Sequence, residues 1–93
     1  MSCFRAEIIF PLKKIYRMKS KIEWFVIKQV RKKRKENKMS QAELSFRLDV
    51  SSGFIGQVES KKCAAKYNIN HLNKLAEILS CSIREFFPDS FLK

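Results

Sequence analysis

The stretch from Ser40 to Glu59 constrains this chain more than any other. Ser40-Gln41-Ala42-Glu43 has the spacing of a capping box, in which serine and glutamate side chains satisfy free backbone N–H groups at a helix start. Behind it Ala42, Leu44, Ser45 and Leu48 fit a helix of about two turns. Asp49-Val50-Ser51-Ser52-Gly53 then breaks the pattern with short polar residues, and Ser51 is a suitable N-cap for the next helix. That helix, over 52–60, carries Ile55 and Val58 on one side with Phe54 beside them.

The flanks read as helix as well. Only two Gly and two Pro occur in 93 residues, which predicts few turns and short connections. From Ile22 to Asn37 there is neither, and Ile22, Val26 and Val30 recur every fourth residue on one face. The run Arg31-Lys32-Lys33-Arg34-Lys35 suits a solvated face, a phosphate-facing surface or the negative end of a helix dipole. Residues 61–67 lack a clean breaker and read as a helix end or loop. Asn68 or Asn70 caps a fourth helix, with Ile69, Leu72, Leu75, Ala76 and Leu79 turned inward. Ser82-Ile83-Arg84-Glu85 is a second capping box, opening a fifth helix through Phe87 that Pro88 ends. Five helices leave no room for a sheet, so the expected fold is all-α, a compact five-helix bundle.

Residues 1–20 differ and are expected to form an N-terminal extension to a domain over 21–93. Phe4, Ile8, Ile9, Phe10 and Leu12 make an apolar segment broken by Pro11, followed by Lys13, Lys14, Arg17, Lys19 and Lys21. A short strand, an arm over a partner surface and a poorly ordered extension all fit. So does translation beginning at Met18.

Lys and Arg total 20 against 9 acidic residues, a net charge of +11. A field of this sign favours polyanions such as DNA, RNA, acidic lipid heads or acidic proteins. Cys3, Cys63 and Cys81 form neither a close pair nor a zinc pattern, and His71 is the single histidine. The cysteines are expected to be small buried hydrophobes in a cytoplasmic protein. No apolar run is long enough for a membrane span, and no secretion signal is evident. No carboxylate pair, nucleophile with a base, or Gly-rich phosphate cradle stands out, so neither enzyme activity nor a cofactor or metal is expected.

Two short helices joined by a tight turn have the geometry of a helix-turn-helix. Leu44 and Leu48 should meet Ile55 and Val58 in the core, Ser45 should lie at the close crossing, and Val50 should fill the turn from below. Ser51, Ser52, Gly53 and Gln57 are left facing outward on the half of the second helix that enters a major groove.

The chain from about Ile27 to Pro88 resembles the phage-repressor-like (Cro/CI, or XRE-type) helix-turn-helix family. The resemblance rests on Arg34 and Met39-Ser40-Gln41-Ala42-Glu43-Leu44-Ser45, followed by Val50-Ser51-Ser52-Gly53-Phe54-Ile55-Gly56-Gln57-Val58-Glu59. It continues through Leu72-Asn73-Lys74-Leu75-Ala76-Glu77-Ile78-Leu79 and Ser82 to Pro88. It implies a lambda-repressor-like domain in which Gln41 bonds a phosphate and braces the recognition helix. Ser52, Gly53 and Gln57 then face base edges, and Arg34 and Glu59 form a partly buried ion pair. The family has Ala where Ser45 stands and often Gly where Asp49 stands; Asp reaches the left-handed conformation less freely. Gln57 alone has the reach for a bidentate contact, typically with adenine. Phe54 either touches a thymine methyl or packs in the core. Tyr67 either contacts a phosphate, with Lys61 and Lys62 nearby, or packs. His71 reads as a surface or capping residue.

The expected function is a sequence-specific regulator of transcription, most simply a repressor. One recognition helix reads only about 4–6 base pairs, so a homodimer on a two-fold symmetric operator of double-stranded DNA follows. Phe86, Phe87, Phe91 and Leu92, or the N-terminal arm, are the candidate dimer surfaces. An antitoxin or adaptor that binds a protein partner through the same fold is the alternative, and a charge-driven RNA or general nucleic-acid binder a third.

Overall fold

The computed structural model describes residues 19–93. The readings made on Cys3, Phe4, Ile8, Ile9, Phe10 and Leu12, on the basic residues up to Arg17, and on Met18 lie outside them. Among the described residues, four α-helices and one 3-10 turn follow in chain order: α1 (Lys21–Glu36), α2 (Gln41–Leu48), α3 (Phe54–Glu59), α4 (Ile69–Ile78) and the turn Ile83–Phe86. The described part is all-α.

Local side chains set where each helix begins. The Ser20 hydroxyl accepts the Glu23 N–H (3.2 Å) and the Glu23 carboxylate accepts the Ser20 N–H (2.8 Å), a full capping box for α1. Ser40 caps α2 through the Glu43 N–H (3.0 Å), but the Glu43 carboxylate turns one turn onward to Arg47 (2.9 Å). Asn68, of the two candidate asparagines, caps α4, and His71 returns the bond by accepting the Asn68 N–H at Nδ1 (3.0 Å). The predicted box at Ser82 and Glu85 is formed.

Three helices close without glycine. Lys38, Asp49 and Ser80 take φ of 56°, 64° and 54°, the left-handed region. The next N–H in each case reaches back five residues: Met39 to Arg34 (3.1 Å), Val50 to Ser45 (3.1 Å) and Cys81 to Ala76 (3.0 Å). These bonds satisfy carbonyls that a helix end otherwise leaves open. The described residues therefore turn sharply three times at left-handed non-glycine positions.

Val26, Val30, Leu44, Leu48, Ile55, Leu72, Leu75, Ala76, Leu79 and Phe86 form one buried cluster. Phe86 is its largest wholly buried side chain. α1 packs on α3 and on the 3-10 turn, while α2 packs on α3 and α4. Cys63 is also buried and Cys81 half-buried, its thiol pushed up by burial.

Several expectations are corrected. Ile22 and Ile69 are exposed, Ile69 by 70%. Each sits in the first turn of its helix, where side chains lean toward the N-terminus and overhang the end of the core. The fifth helix is a single 3-10 turn ending at Phe86. Phe87, before Pro88, is extended (φ −111°, ψ 152°), as the proline ring demands of the residue before it. Lys19 is buried and Ser20 caps α1, so the folded domain begins before residue 21.

Candidate nucleic-acid interface

α2 and α3 meet through Leu44, Leu48, Ile55 and Val58, all buried. Ser45 is fully buried at their crossing, and its hydroxyl accepts the Ile55 N–H at 3.3 Å. This bond has a local cause. The N-cap of α3 is Gly53, which has no side chain to receive the free N–H groups of the first turn. A hydroxyl from the neighbouring helix supplies one acceptor, which the alanine usual in the resembled family cannot do. Val50 is half-buried beneath the turn and packs on the core.

Gly56 lies where α3 passes the start of α2. A Cβ there would stand 3.1 Å from Oε1 of Gln41. The Gln41 amide in turn donates from Nε2 to Oε1 of Glu59 (2.9 Å). Gln41 thus braces α3 as expected of it.

Arg34 and Glu59 form the expected ion pair. Nε donates to Oε2 (3.0 Å) and Nη2 to Oε1 (2.9 Å), with both side chains under a tenth exposed. Nη1 of Arg34 donates to the Met39 carbonyl (2.8 Å), and Arg31 stands 3.8 Å from Glu59. Helix α1, the α1–α2 connection and the end of α3 are joined through one carboxylate and one guanidinium.

The outward positions fall as follows. Ser51, Ser52 and Gly53 are exposed, and a Cβ at Gly53 would meet nothing within 4 Å. Ser51 is not the N-cap: the Phe54 N–H bonds its carbonyl (3.0 Å), a tighter turn that delays α3 to residue 54. Gln57 lies one turn on and is half-buried. Lys61 and Lys62 are exposed just beyond α3.

Two sites take the packing alternative. The Phe54 ring is half-buried against the core, 6.2 Å from the Tyr67 ring and 5.0 Å from that of His71. The Tyr67 hydroxyl is buried without a hydrogen-bond partner among the described residues, so it presents nothing to a phosphate. Burial, and then the nearby Glu59 carboxylate, hold it well above the usual phenol range. Phe86 is likewise removed from the candidate dimer surface, because the core occupies it.

Some groups had no reading of their own. Lys66 pairs with Glu23 (3.0 Å), and Lys33 with Glu85 (2.8 Å), tying α1 to the residues after α3 and to the 3-10 turn. Ser20-Lys21-Ile22-Glu23 carries the same capping signature as Ser40-Gln41-Ala42-Glu43, a local signal present in the sequence. Lys19, whose ammonium reaches the end of α3, gave no sequence signal.

The comparisons agree with this geometry. A family model described as helix-turn-helix matches residues 30–86, more than half of the chain. No curated protein and no solved structure matches the chain significantly. With the paired helices, the brace and the matched span together, the chain belongs to the helix-turn-helix family, of the Cro/CI (XRE) type that binds DNA in regulation.

Proposed function

We propose that this protein is a sequence-specific regulator of transcription that binds double-stranded DNA, acting as a homodimer on a two-fold symmetric operator and repressing by occupying promoter DNA. The carrying observation is the exposed turn that leads into α3, Ser51, Ser52 and Gly53, ahead of a helix held from behind by the buried Arg34–Glu59 pair. Gln57 supplies the bidentate contact to adenine. The Gln41 amide carries two hydrogens; Glu59 takes one, leaving the other for a backbone phosphate. Exposed Lys61 and Lys62 and the net charge of +11 add sequence-independent attraction. With Phe86 in the core, the dimer contact falls to Phe87, Phe91 and Leu92, of which Phe91 is 79% exposed. The reading needs no catalytic step and suits a cytoplasmic protein.

Selection from a random duplex library tests it. A symmetric consensus whose affinity falls about tenfold or more on Gln57→Ala supports direct readout. Absence of enrichment overturns the reading. Gly53→Val probes close backbone approach: the free protein has room for the side chain, so fold is retained while operator binding falls. A species that sediments as a monomer with and without the operator overturns the dimer.

A further inference from the structure

We propose that Lys19 is a positioning residue for the recognition helix, its ammonium clamping the C-terminal carbonyls of α3 and so setting how Ser51, Ser52, Gly53 and Gln57 face a duplex. The inference rests on the DNA-binding reading of α3 given above.

α3 has six residues and no basic residue in its last turn. The carbonyls at such an end lack partners within the helix and carry the negative pole of its dipole. Lys19 supplies the missing cation from the far side of the chain. Its Nζ donates to the carbonyls of Val58 (2.5 Å) and Ser60 (2.6 Å) and reaches that of Gln57 (3.5 Å). Three ammonium hydrogens thus meet three acceptors, leaving none for a phosphate. The Trp24 ring lies 4.8 Å from Nζ and closes the site on one side. The residue is only 9% exposed, unlike a lysine that meets DNA at a surface. Burial lowers its pKa, Lys66 lowers it further, and Glu23, which pairs with Lys66, opposes this.

Groups from outside the helix therefore hold α3 at both ends, the Gln41 amide on Glu59 among them. Ser45 takes an N–H near its start, Arg34 takes the Glu59 carboxylate, and Lys19 takes the closing carbonyls. One of those carbonyls belongs to Gln57, the residue whose side chain is to read a base. Loosening the clamp tilts that residue before it changes any contact to DNA. A base contact is more sensitive to such a tilt than a phosphate attraction is.

The test compares the full chain with Lys19→Met, measuring affinity for the selected operator and for a random duplex of equal length across a salt series. Operator affinity is expected to fall about tenfold, random-duplex affinity to stay within about twofold, and the salt slope to be unchanged. Amide hydrogen exchange over residues 57–60 should quicken in the free protein. Where Lys19→Met does not fold, Lys19→Gln, which keeps two N–H donors without the charge, carries the same comparison. Equal loss on both duplexes with a salt slope smaller by about one makes Lys19 a phosphate contact and overturns the proposal. A lowered Tm with an unchanged operator-to-random ratio makes it merely structural and overturns it too. If the wild-type chain itself fails to discriminate, the functional reading falls first and takes this inference with it.

Discussion

Arg34 and Glu59, 25 residues apart in the chain, face each other through two parallel hydrogen bonds in a site under a tenth exposed. Both charges are withdrawn from water, so each depends on the other. Removing Arg34 leaves the buried Glu59 carboxylate with only the more distant and more exposed Arg31, 3.8 Å away, as a cation, whereas removing both partners leaves a packing question. Arg34→Met should cost about 3–5 kcal/mol, and the double variant Arg34→Met/Glu59→Leu less than the single one. Urea denaturation of the cycle checks this. A double-variant loss equal to the sum of the Arg34→Met and Glu59→Leu losses would show that the pair is not coupled.

Ser45→Ala should destabilise by about 1 kcal/mol, because the Ile55 N–H loses its acceptor in a buried crossing. A bulkier Ser45→Leu should not fold to the same packing. Thermal melting of Ser45→Ala decides the first part; a Tm at or above that of the wild type contradicts it.

Gly56→Ala sets two effects against each other. Alanine favours a helix interior by up to about 1 kcal/mol over glycine. Its Cβ also crowds Gln41 Oε1, and displacing that amide weakens its bond to Glu59. The gain should therefore be larger in a Gln41→Ala background than in the wild type. Equal gains in the two backgrounds would remove the proposed contact.

Tyr67→Phe should stabilise the domain by about 1 kcal/mol, since a buried hydroxyl without a partner is being removed. The ring keeps its edge contacts with Phe54 and His71. Loss of stability on this change, measured by denaturant unfolding, would mean the hydroxyl is bonded.

Glu23 gives a pH signature. Burial pushes its carboxyl up, but the Ser20 N–H and Lys66 outweigh this and hold it below the ordinary value of 4.5. A folded pKa lower than the unfolded one gives stability that is complete above the ordinary value and lost as pH falls through the folded one. Glu23→Gln should make the loss of Tm below about pH 4.5 shallower, the slope that remains belonging to other paired carboxylates such as Glu85, which the Lys33 ammonium also holds low. An unchanged acid slope rejects the assignment.

Much of the motif was legible because it depends on near neighbours. Ser40, Asn68 and Ser82 cap helices through bonds spanning two or three residues, and such spacing is written in the chain. The Leu44, Leu48, Ile55 and Val58 stripes follow from helical periodicity. Ile69 fits the same stripe and yet is exposed, because periodicity gives the face of a helix but not where the core beneath it ends. Phe54 and Tyr67 stayed ambiguous for a related reason: an aromatic residue beside a motif packs or projects according to what lies opposite. Here each lies opposite the other.

The sequence by itself determined the helices of the motif, the break between them and the residue types in the exposed turn that leads into α3, since all are set within a few turns of chain. The Arg34–Glu59 pair was reached only through resemblance, because nothing in a spacing of 25 residues obliges two charges to meet. Tertiary structure alone decided that Ser45 caps a helix other than its own and that Phe86 belongs to the core. It also decided that Lys19 closes the far end of α3, across 39 residues to Val58. Each of these depends on where whole helices come to rest against one another, and that follows from burying one common core rather than from any local pattern.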